Sequence, residues 1–199
     1  MLLGLMVERI YQKPLDVLAR EQFFEPLNMK STTFSPEVLS LERIAPTEDD
    51  PWRGGVVRGV VHDESAFILR SKIVPGSAGL FSTTPDLLTF WDALLRVDDG
   101  GARGLFSEET LARMGTNQVG HLGTMTGLGW ELARRDYMGD TCSDRTIGKT
   151  GFTGCVVMCD LLKRIGVVIL ANHTWPHRRS DRREIGRVRR AVGNLVFGM

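Results

Sequence analysis

The chain has no excess of charge of either sign and no composition typical of disorder. Its 25 Lys and Arg residues nearly balance 24 Asp and Glu residues, for a formal net charge of +1 over 199 residues. Such a chain has no bulk attraction for nucleic acid or acidic lipid, so we predict no nucleic-acid partner. With 42% hydrophobic residues it also differs from a disordered tail. The length and composition therefore predict one domain with a real core.

The sequence has too few cysteines, too irregularly spaced, for a disulfide framework. Cys155 and Cys159 lie four residues apart in a strand-like run, which directs both side chains to one side. Because no further ligands lie at suitable spacing nearby, we interpret them as small core residues. His62, Asp63 and Glu64 are adjacent, but adjacent helical residues diverge by about 100° and rarely converge on one ion. We interpret this run as local capping or loop bracing and predict no metal and no cofactor.

No apolar run is long enough to cross a membrane. The longest, residues 165–171, falls far short of the ~20 residues that a spanning helix needs. The apolar N-terminus lacks a preceding basic region and is interrupted by Glu8 and Arg9, which is not the pattern of a signal peptide. The chain as given favours a cytoplasmic location, and a periplasmic or secreted one stays open if a longer form carries an export signal.

The N-terminal residues predict the interior of an amphipathic helix. Leu2, Leu3, Met6 and Ile10 recur at helical spacing and form one apolar stripe that we expect to be buried. No capping residue precedes this helix, so we expect the protein to begin upstream of Met1. A second helix follows Pro14, with its apolar positions facing inward at Leu15, Leu18, Ala19 and Phe23.

The rest of the chain divides into a helical part and a strand-rich part. We predict one partial domain, with a mainly helical lobe and long loops at 1–125 and C-terminal strands with a closing helix at 126–199. The predicted elements are a long loop at 27–58 with a short helix at 36–41, helices at 84–95 and 107–114, the second capped by Ser107, strands at 127–133, 146–149, 155–161 and 165–171, and a helix from Ser180 onwards.

Two of these helices carry clear sequence signals. For the first, Thr84 is the predicted N-cap, Pro85 the first helical residue, and residues 98–101 the stop. Its predicted buried face consists of Leu87, Leu88, Phe90, Trp91, Leu94 and Leu95. The closing helix is expected to bury Ile185, Val188, Val192 and either Leu195 or Val196. Its other face is rich in arginine, which indicates a solvated helix face or, alternatively, a nucleic-acid or partner patch.

The stretch from Gly148 to Gly154 has residues that an acyl-transfer site can use; by themselves the same residues are also compatible with a polar turn that enters a hairpin. In such a reaction negative charge develops on the attacked carbonyl oxygen, and backbone N–H groups at a strand edge can stabilise it. Gly151 lets a substrate approach the backbone closely, because there is no side chain in the way. Lys149 raises the local potential and can hold a neighbouring base or a substrate carboxylate, for which Thr150 supplies a hydroxyl.

Several segments, in order along nearly the whole chain, resemble the class C β-lactamase-related family of serine hydrolases. They are Met1 to Ile10 with Pro14-Leu15, Phe24 to Met29, Ala78 to Leu87, Gly127 to Trp130, Gly148 to Gly154, and Val168 to Asn172. The resemblance implies an α/β (α+β) fold of the β-lactamase/transpeptidase kind. That fold has an antiparallel sheet flanked by helices and a helical lobe; the N-terminal strands and nucleophile helix have no counterpart here.

The resemblance also implies roles for individual residues. Lys149, Thr150 and Gly151 would form the third motif of the family, and the backbone N–H of Phe152 would be one oxyanion donor. Thr153 would contact the substrate. His177 or Arg179, after the last strand, would face the tail of the substrate. The implied substrate is a small molecule with a β-lactam, ester or peptide carbonyl.

The first two motifs of that family are absent from the sequence. No serine has a lysine three residues on, and no Tyr-x-Asn element has a counterpart. Three explanations stay open: a start placed at an internal Met, a genuine truncation, or a split protein completed by another chain. We therefore expect this chain to be the C-terminal part of a serine hydrolase, inactive alone, with a complementing N-terminal segment or a homo-oligomer as partner. The alternative is a non-catalytic remnant that acts as a binding or interaction module.

Overall fold

A computed structural model describes residues 1–97 and 105–199, and the chain forms two compact units in it. The N-terminal unit consists of residues 1–87 and 172–178, and the C-terminal unit of residues 88–171 and 179–199. In the part of the chain that is described, no helix combines the length and the apolar character needed to cross a bilayer.

The N-terminal unit contains short helices, irregular segments and one small hairpin. Its regular elements are helices α1 (Leu2–Tyr11), α2 (Leu15–Ala19) and α3 (Glu64–Leu69), and strands β1 (Glu48–Asp50) and β2 (Gly55–Val57). A π-helical turn, Arg20–Phe24, extends α2, and 3-10 turns lie at Pro36–Val38, Leu41–Arg43 and Pro51–Arg53. The two predicted helices at the start of the chain are thus confirmed.

The predicted burial of the α1 stripe is wrong for this chain. Leu2, Leu3, Met6 and Ile10 are between 58% and 77% exposed, although they form one stripe as predicted. The buried residue of α1 is instead Gly4, where an added Cβ would lie 3.3 Å from the Pro75 carbonyl oxygen. The helix therefore packs through a glycine, and the side that the sequence marks as apolar faces solvent.

The predicted long loop at 27–58 contains a hairpin that the sequence did not reveal. β1 and β2 are antiparallel, with Glu48 paired to Val57 and Asp50 to Gly55. Each strand has only three residues, and the entry into β2 needs the positive φ angles of Gly54 (79°) and of Gly55 (126°), the first residue of that strand. Prolines and glycines this close together conceal such short strands from any periodicity analysis. The short helix predicted at 36–41 appears as two 3-10 turns.

Helix α4 (Thr84–Leu95) starts one residue earlier than predicted. Thr84 is already helical, and the Thr83 hydroxyl accepts the Asp86 N–H at 3.5 Å, so Thr83 takes the cap position. Trp91 and Leu94 are buried as expected, whereas Leu88 is 43% exposed. The stop signal predicted at 98–101 lies outside the described residues.

The C-terminal unit is built on a four-stranded antiparallel sheet in the order β3-β4-β5-β6. Its strands are β3 (Glu131–Leu132), β4 (Thr146–Thr150), β5 (Val156–Asp160) and β6 (Ile165–Ile169), and its further helices α5 (Glu108–Met114), α6 (Arg135–Met138) and α7 (Arg183–Phe197). Ser107 caps α5 as predicted, its hydroxyl accepting the Thr110 N–H at 3.1 Å. The strand predicted at 127–133 shrinks to two residues, because Gly127 and Gly129 form a turn before it.

The sheet separates two apolar clusters, one on each face. Val156, Met158 and Val167 pack with α6 and α7, including the fully buried Phe197. On the other face Ile147 and Cys159 pack with α4 residues such as Trp91 and Leu94. Successive residues of a strand point to opposite faces, so β5 contributes to both clusters. The unit therefore has helices on both sides of its sheet.

Helix α7 packs against the sheet with some, but not all, of the residues predicted to face inward. Ile185 is buried, and Val192 and Val196 pack against the α6/α7 cluster. Of the two alternatives the structure selects Val196, because Leu195 is 72% exposed. The expectation for Val188 is wrong, since it is 46% exposed.

A close helix contact in this unit gives a stability prediction. A Cβ on Gly193 of α7 would lie 2.0 Å from the Met138 carbonyl oxygen, which is backbone and cannot yield easily. We expect Gly193→Ala to lower the free energy of unfolding by about 2–3 kcal/mol, the usual cost of overpacking. Urea denaturation followed by circular dichroism measures this change.

Gly186→Ala is the matched control on the same helix. An added Cβ there meets nothing within 4 Å, so the higher helix propensity of alanine should stabilise by about 0.5–1 kcal/mol. Equal unfolding midpoints for the two variants would contradict the packing described for α7.

Candidate functional site

The Lys-Thr-Gly triplet lies at an exposed end of the central sheet. Lys149 and Thr150 are the last two residues of β4, and a turn at residues 151–154 connects them to β5. Lys149 and Gly151 are exposed, while Thr150, Phe152 and Thr153 are half-buried. The predicted catalytic stretch is thus neither inside the core nor on a free loop, and a molecule in solvent can reach it.

The Lys149 side chain pairs with Glu131, which is held in turn by Tyr137; sequence analysis missed both residues. The Lys149 ammonium nitrogen lies 3.0 Å from Glu131 Oε1, and the Tyr137 hydroxyl donates to Glu131 Oε2 at 2.8 Å. Glu131 comes from β3 and Tyr137 from α6, so three elements meet around one carboxylate. The available signal was the position of Glu131 directly after the Gly-Leu-Gly-Trp segment.

The protonation states in this group follow from burial and hydrogen bonding. Burial alone would raise the pKa of Glu131, but hydrogen bonds from Tyr137 and Lys149 outweigh it and leave that pKa below its usual range. Burial and the Glu131 carboxylate together raise the pKa of Tyr137 far above its ordinary value. A carboxylate therefore accepts from a neutral phenol and from an ammonium group.

The turn after the triplet is tied to α7 by one arginine. Arg189 donates to the carbonyl oxygens of Gly151 at 2.9 Å, Gly154 at 3.1 Å and Cys155 at 3.0 Å. Burial, the largest influence, lowers the pKa of its guanidinium. The arginine-rich face of α7 is therefore more than a solvated surface at this position. Arg190, next in sequence, pairs with Asp140 at 2.7 Å.

Of the two cysteines predicted to be core residues, one is fully buried and the other is half-buried. Cys159 is fully buried, and burial raises the pKa of its thiol to about 12. Cys155 is half-buried just before β5, where its sulfur contacts the backbone of Ala171 at 3.3–3.4 Å. Within residues 1–97 and 105–199, no group of three or more His, Cys, Asp or Glu side chains could hold a metal ion.

His177 and Arg179, the two residues predicted to face the substrate tail, belong to different units. In the N-terminal unit His177 Nδ1 lies 3.3 Å from the Asp49 carbonyl oxygen. In the C-terminal unit Arg179 pairs with Glu184 at 3.1 Å. Both side chains are exposed. Their role in substrate binding stays a prediction.

The residue between them, Arg178, anchors its segment in a hydrogen-bond network of the N-terminal unit in which Glu48 and His62 are buried and Arg178 itself is exposed. Its side chain and backbone N–H donate to Glu48 at 2.9–3.1 Å, and its guanidinium also reaches Glu64 at 2.9 Å. His62 pairs with the same Glu48 carboxylate at 2.8 Å, and Asp63 caps α3 through the Ala66 N–H. The interpretation of residues 62–64 as capping and bracing groups is confirmed by these contacts.

Two cavities are found in the N-terminal unit, and their lining contains none of the predicted site residues that the structure describes. An open depression of about 870 Å³ lies beside α1 and residues 70–74. A more enclosed cavity of about 410 Å³ is lined mainly by apolar residues of segments 59–61 and 73–79. Neither cavity coincides with the chemistry of the triplet, and the triplet is the better candidate because its residues carry the reactive groups.

Comparison with known proteins places the chain in a family. A family model described as Beta-lactamase matches residues 1–190. A "Putative D-alanyl-D-alanine carboxypeptidase" of Escherichia coli O157:H7 is 35% identical over 194 residues, covering 89% of this chain and 44% of the relative. The chain thus spans less than half the length of the curated relatives that it matches.

Solved structures share the same fold. A beta-lactamase from Mycobacterium bovis has a TM-score of 0.64 at 19% identity, over 98% of this chain and 60% of that one. An octameric penicillin-binding protein homologue from Pyrococcus abyssi has a TM-score of 0.62 at 20% identity, over 99% and 41%. At these identities the likeness concerns the fold alone, and it confirms the predicted α/β arrangement of an antiparallel sheet flanked by helices.

Proposed function

Since the chain belongs to the beta-lactamase family, we propose that it forms the oxyanion-facing wall of a serine acyl-transfer site. The observation that carries this proposal is the exposed triplet at the end of β4, where Lys149 and the Gly151 backbone face solvent. The sequence has no Ser-x-x-Lys, so the attacking hydroxyl belongs to polypeptide outside these 199 residues.

The proposed reaction passes through an acyl-enzyme. The serine oxygen attacks a carbonyl carbon while its proton passes to the base, and the Phe152 N–H stabilises the oxyanion that forms, each such donor being worth ~3 kcal/mol of barrier. The oxyanion then collapses to the acyl-enzyme, and the amine or alcohol of the substrate leaves with the proton from the base. The neighbouring Gly151 N–H is already used in the hairpin, where it donates to the Cys155 carbonyl at 2.7 Å. Lys149 and Thr150 hold the carboxylate of the substrate or the serine's base, and water then releases the acyl group.

The substrate proposed is a β-lactam, ester or peptide with a free carboxylate. Lys149 offers the positive charge, with Thr153, His177 and Arg179 as further polar contacts. Because curated relatives carry the description "Putative D-alanyl-D-alanine carboxypeptidase", a peptide ending in D-Ala-D-Ala is the first substrate to test.

The C-terminal unit also presents a surface suited to a complementing polypeptide. Within the described residues β6 pairs only with β5, and its five residues, Ile165–Ile169, include no charge and no proline. Natural edge strands usually carry a charged residue or a proline, which prevents another strand from pairing with them. β6 has neither, so another strand could pair with it. On α7, Asn194 contacts the residues after α6, while Val188 and Leu195, which lie seven residues apart and so on one side of the helix, are exposed. A strand and an apolar segment of the completing polypeptide would cover these groups.

The proposal is tested by covalent labelling of this chain with a fluorescent penicillin, in the presence and in the absence of a completing polypeptide. The part of the Escherichia coli O157:H7 relative outside its matched residues is supplied as a separate chain, and we call the mixture the completed protein. We expect a fluorescent penicillin to form a covalent adduct in the completed protein and none with this chain alone. A complex that assembles but stays unlabelled would contradict the proposal.

Two substitutions on α7 check where the polypeptide docks. Leu195→Glu should weaken assembly by about 10- to 100-fold, the equivalent of losing one buried leucine. Arg187→Glu, which changes another exposed residue of the helix, should leave assembly unchanged. Analytical ultracentrifugation measures the assembly of both variants with the completing polypeptide. It also detects self-association of the chain, the alternative partner, which the octameric solved structure suggests.

A non-catalytic interaction module is the second candidate function. The observation in its favour is the exposed α1 stripe, since exposed apolar patches of this kind often mark interaction sites. The labelling experiment separates the two proposals. An interaction module would assemble with a partner without ever forming an adduct, whereas stoichiometric labelling would exclude it.

A further inference from the structure

The turn that follows the triplet has both of its end carbonyl groups fully used. The Gly151 carbonyl oxygen accepts from the Gly154 N–H at 3.1 Å and from Arg189 Nη2 at 2.9 Å. The Cys155 carbonyl oxygen accepts from the Gly151 N–H at 2.7 Å and from the same nitrogen of Arg189 at 3.0 Å. Since a carbonyl oxygen has two lone pairs, each of these oxygens has a full set of partners.

Arg189 supplies the contacts to these two carbonyl oxygens that come from outside the turn. Their other hydrogen bonds come from the backbone N–H groups of Gly151 and Gly154, within the turn itself. The Cys155 sulfur also contacts the Ala171 backbone, but at the far end of the turn from the Gly151–Phe152 peptide. Arg189 belongs to α7, a 15-residue helix anchored in the core by Ile185 and Phe197. Its guanidinium is a rigid planar fork, so its three hydrogen bonds tie the turn to the fixed frame of the unit.

The contact at Gly151 determines the direction of the proposed oxyanion donor. The Gly151 carbonyl and the Phe152 N–H belong to one peptide unit, which is planar and trans. In a trans peptide the C=O and N–H bonds point in opposite directions. When Arg189 and Gly154 hold the carbonyl oxygen on one side, the Phe152 N–H must point to the other.

We propose that Arg189 is a positioning residue for the acyl-transfer reaction, which fixes the Gly151–Phe152 peptide plane and thereby aims the Phe152 N–H at the developing oxyanion. The catalytic role of the Phe152 N–H rests on the proposed function. The orientation of that N–H rests only on the hydrogen bonds to the Gly151 carbonyl oxygen. Preorganised donors accelerate a reaction because they need no reorganisation at the moment when charge develops. A merely structural arginine would stabilise the fold without this effect on rate.

The orientation is tested on this chain alone by NMR of the Phe152 amide. We expect Arg189→Ala to shift the Phe152 ¹H–¹⁵N resonance, broaden it and speed its hydrogen exchange by tenfold or more. Addition of millimolar guanidinium ion should restore the wild-type signal, because the small ion can fill the vacated position. Arg189→Lys, which keeps the charge but lacks the fork, should restore it only in part.

Arg190→Ala is the matched control, because it removes a guanidinium from the next position of the same helix, where the partner is Asp140. We expect it to leave the Phe152 amide unchanged. If Arg189→Ala keeps a folded spectrum and a wild-type Phe152 amide, or if Arg190→Ala perturbs that amide equally, the orienting role is overturned.

The consequence for catalysis is tested in the completed protein. Arg189→Ala should slow acylation by penicillin about 10²-fold. The penicillin concentration that gives the half-maximal rate should change little. Added guanidinium ion should restore the rate. An unchanged acylation rate despite a disturbed Phe152 amide would overturn the catalytic part of the inference. The proposed function itself fails separately, if the wild-type completed protein forms no adduct.

Discussion

The Lys149→Ala variant of the completed protein should turn over its substrate about 10²- to 10³-fold more slowly than wild type while remaining folded. The Lys149 side chain is 58% exposed, so its removal leaves the core intact. The substitution removes the positive charge that lies 3.0 Å from Glu131. That charge is the group proposed to hold the substrate carboxylate or the serine's base. Release of D-alanine from a D-Ala-D-Ala peptide measures the rate.

The control for this variant is Lys30→Ala, which removes another exposed lysine. It should keep both turnover and unfolding midpoint within experimental error of wild type. If Lys149→Ala also keeps wild-type turnover, Lys149 has no part in the reaction. If instead it loses its cooperative unfolding transition, the exposed position described for this side chain is wrong.

The second large effect is expected for Asp160→Ala, which should lower the free energy of unfolding by about 3–5 kcal/mol. Asp160 is fully buried at the end of β5 and accepts five hydrogen bonds of 2.8–3.1 Å. The donors are the backbone N–H groups of Ser143, Leu162 and Lys163 and the hydroxyl groups of Ser143 and Thr146. Alanine leaves these donors without their acceptor, and each unsatisfied buried donor costs about 1–3 kcal/mol.

Asp144→Ala provides the comparison at an exposed aspartate. Its side chain is 83% exposed and pairs only with Arg135 among the ion pairs of the described chain. An exposed pair of this kind contributes roughly 0–1 kcal/mol, so the unfolding midpoint in urea should barely move. Equal losses at the two positions would refute the hydrogen-bond network assigned to Asp160.

The contribution of Asp160 should also depend on pH in a defined direction. Burial raises the pKa of this carboxyl, but hydrogen bonds from Ser143, Lys163 and Thr146 outweigh burial and hold the pKa below its ordinary value. A folded-state pKa lower than the unfolded value of about 3.9 stabilises the fold above that pH. The stability difference between wild type and Asp160→Asn should therefore narrow as the pH falls below about 4.

Local sequence patterns were sufficient for most elements of the C-terminal unit, although they missed α6 and overstated the length of β3. β4, β5 and β6 appear where runs of β-branched residues predicted them, and Ser107 caps α5 as expected. The pattern failed where glycine and proline dominate, because the short β1–β2 hairpin leaves no periodic signal. It also failed at Val188 of α7 and could not choose between Leu195 and Val196, because apolar character does not reveal whether anything covers a side chain.

By itself the sequence determined the family, the positions of β4, β5 and β6 along the chain and the triplet that carries the proposed chemistry, because these depend on residue types at fixed spacing. Only the tertiary structure decided what holds that triplet. Glu131 lies 18 residues from Lys149 along the chain, and Arg189 lies 38 residues from Gly151. Such contacts arise when strands and helices pack, and a charged side chain in sequence looks the same whether it faces solvent or fixes a peptide plane.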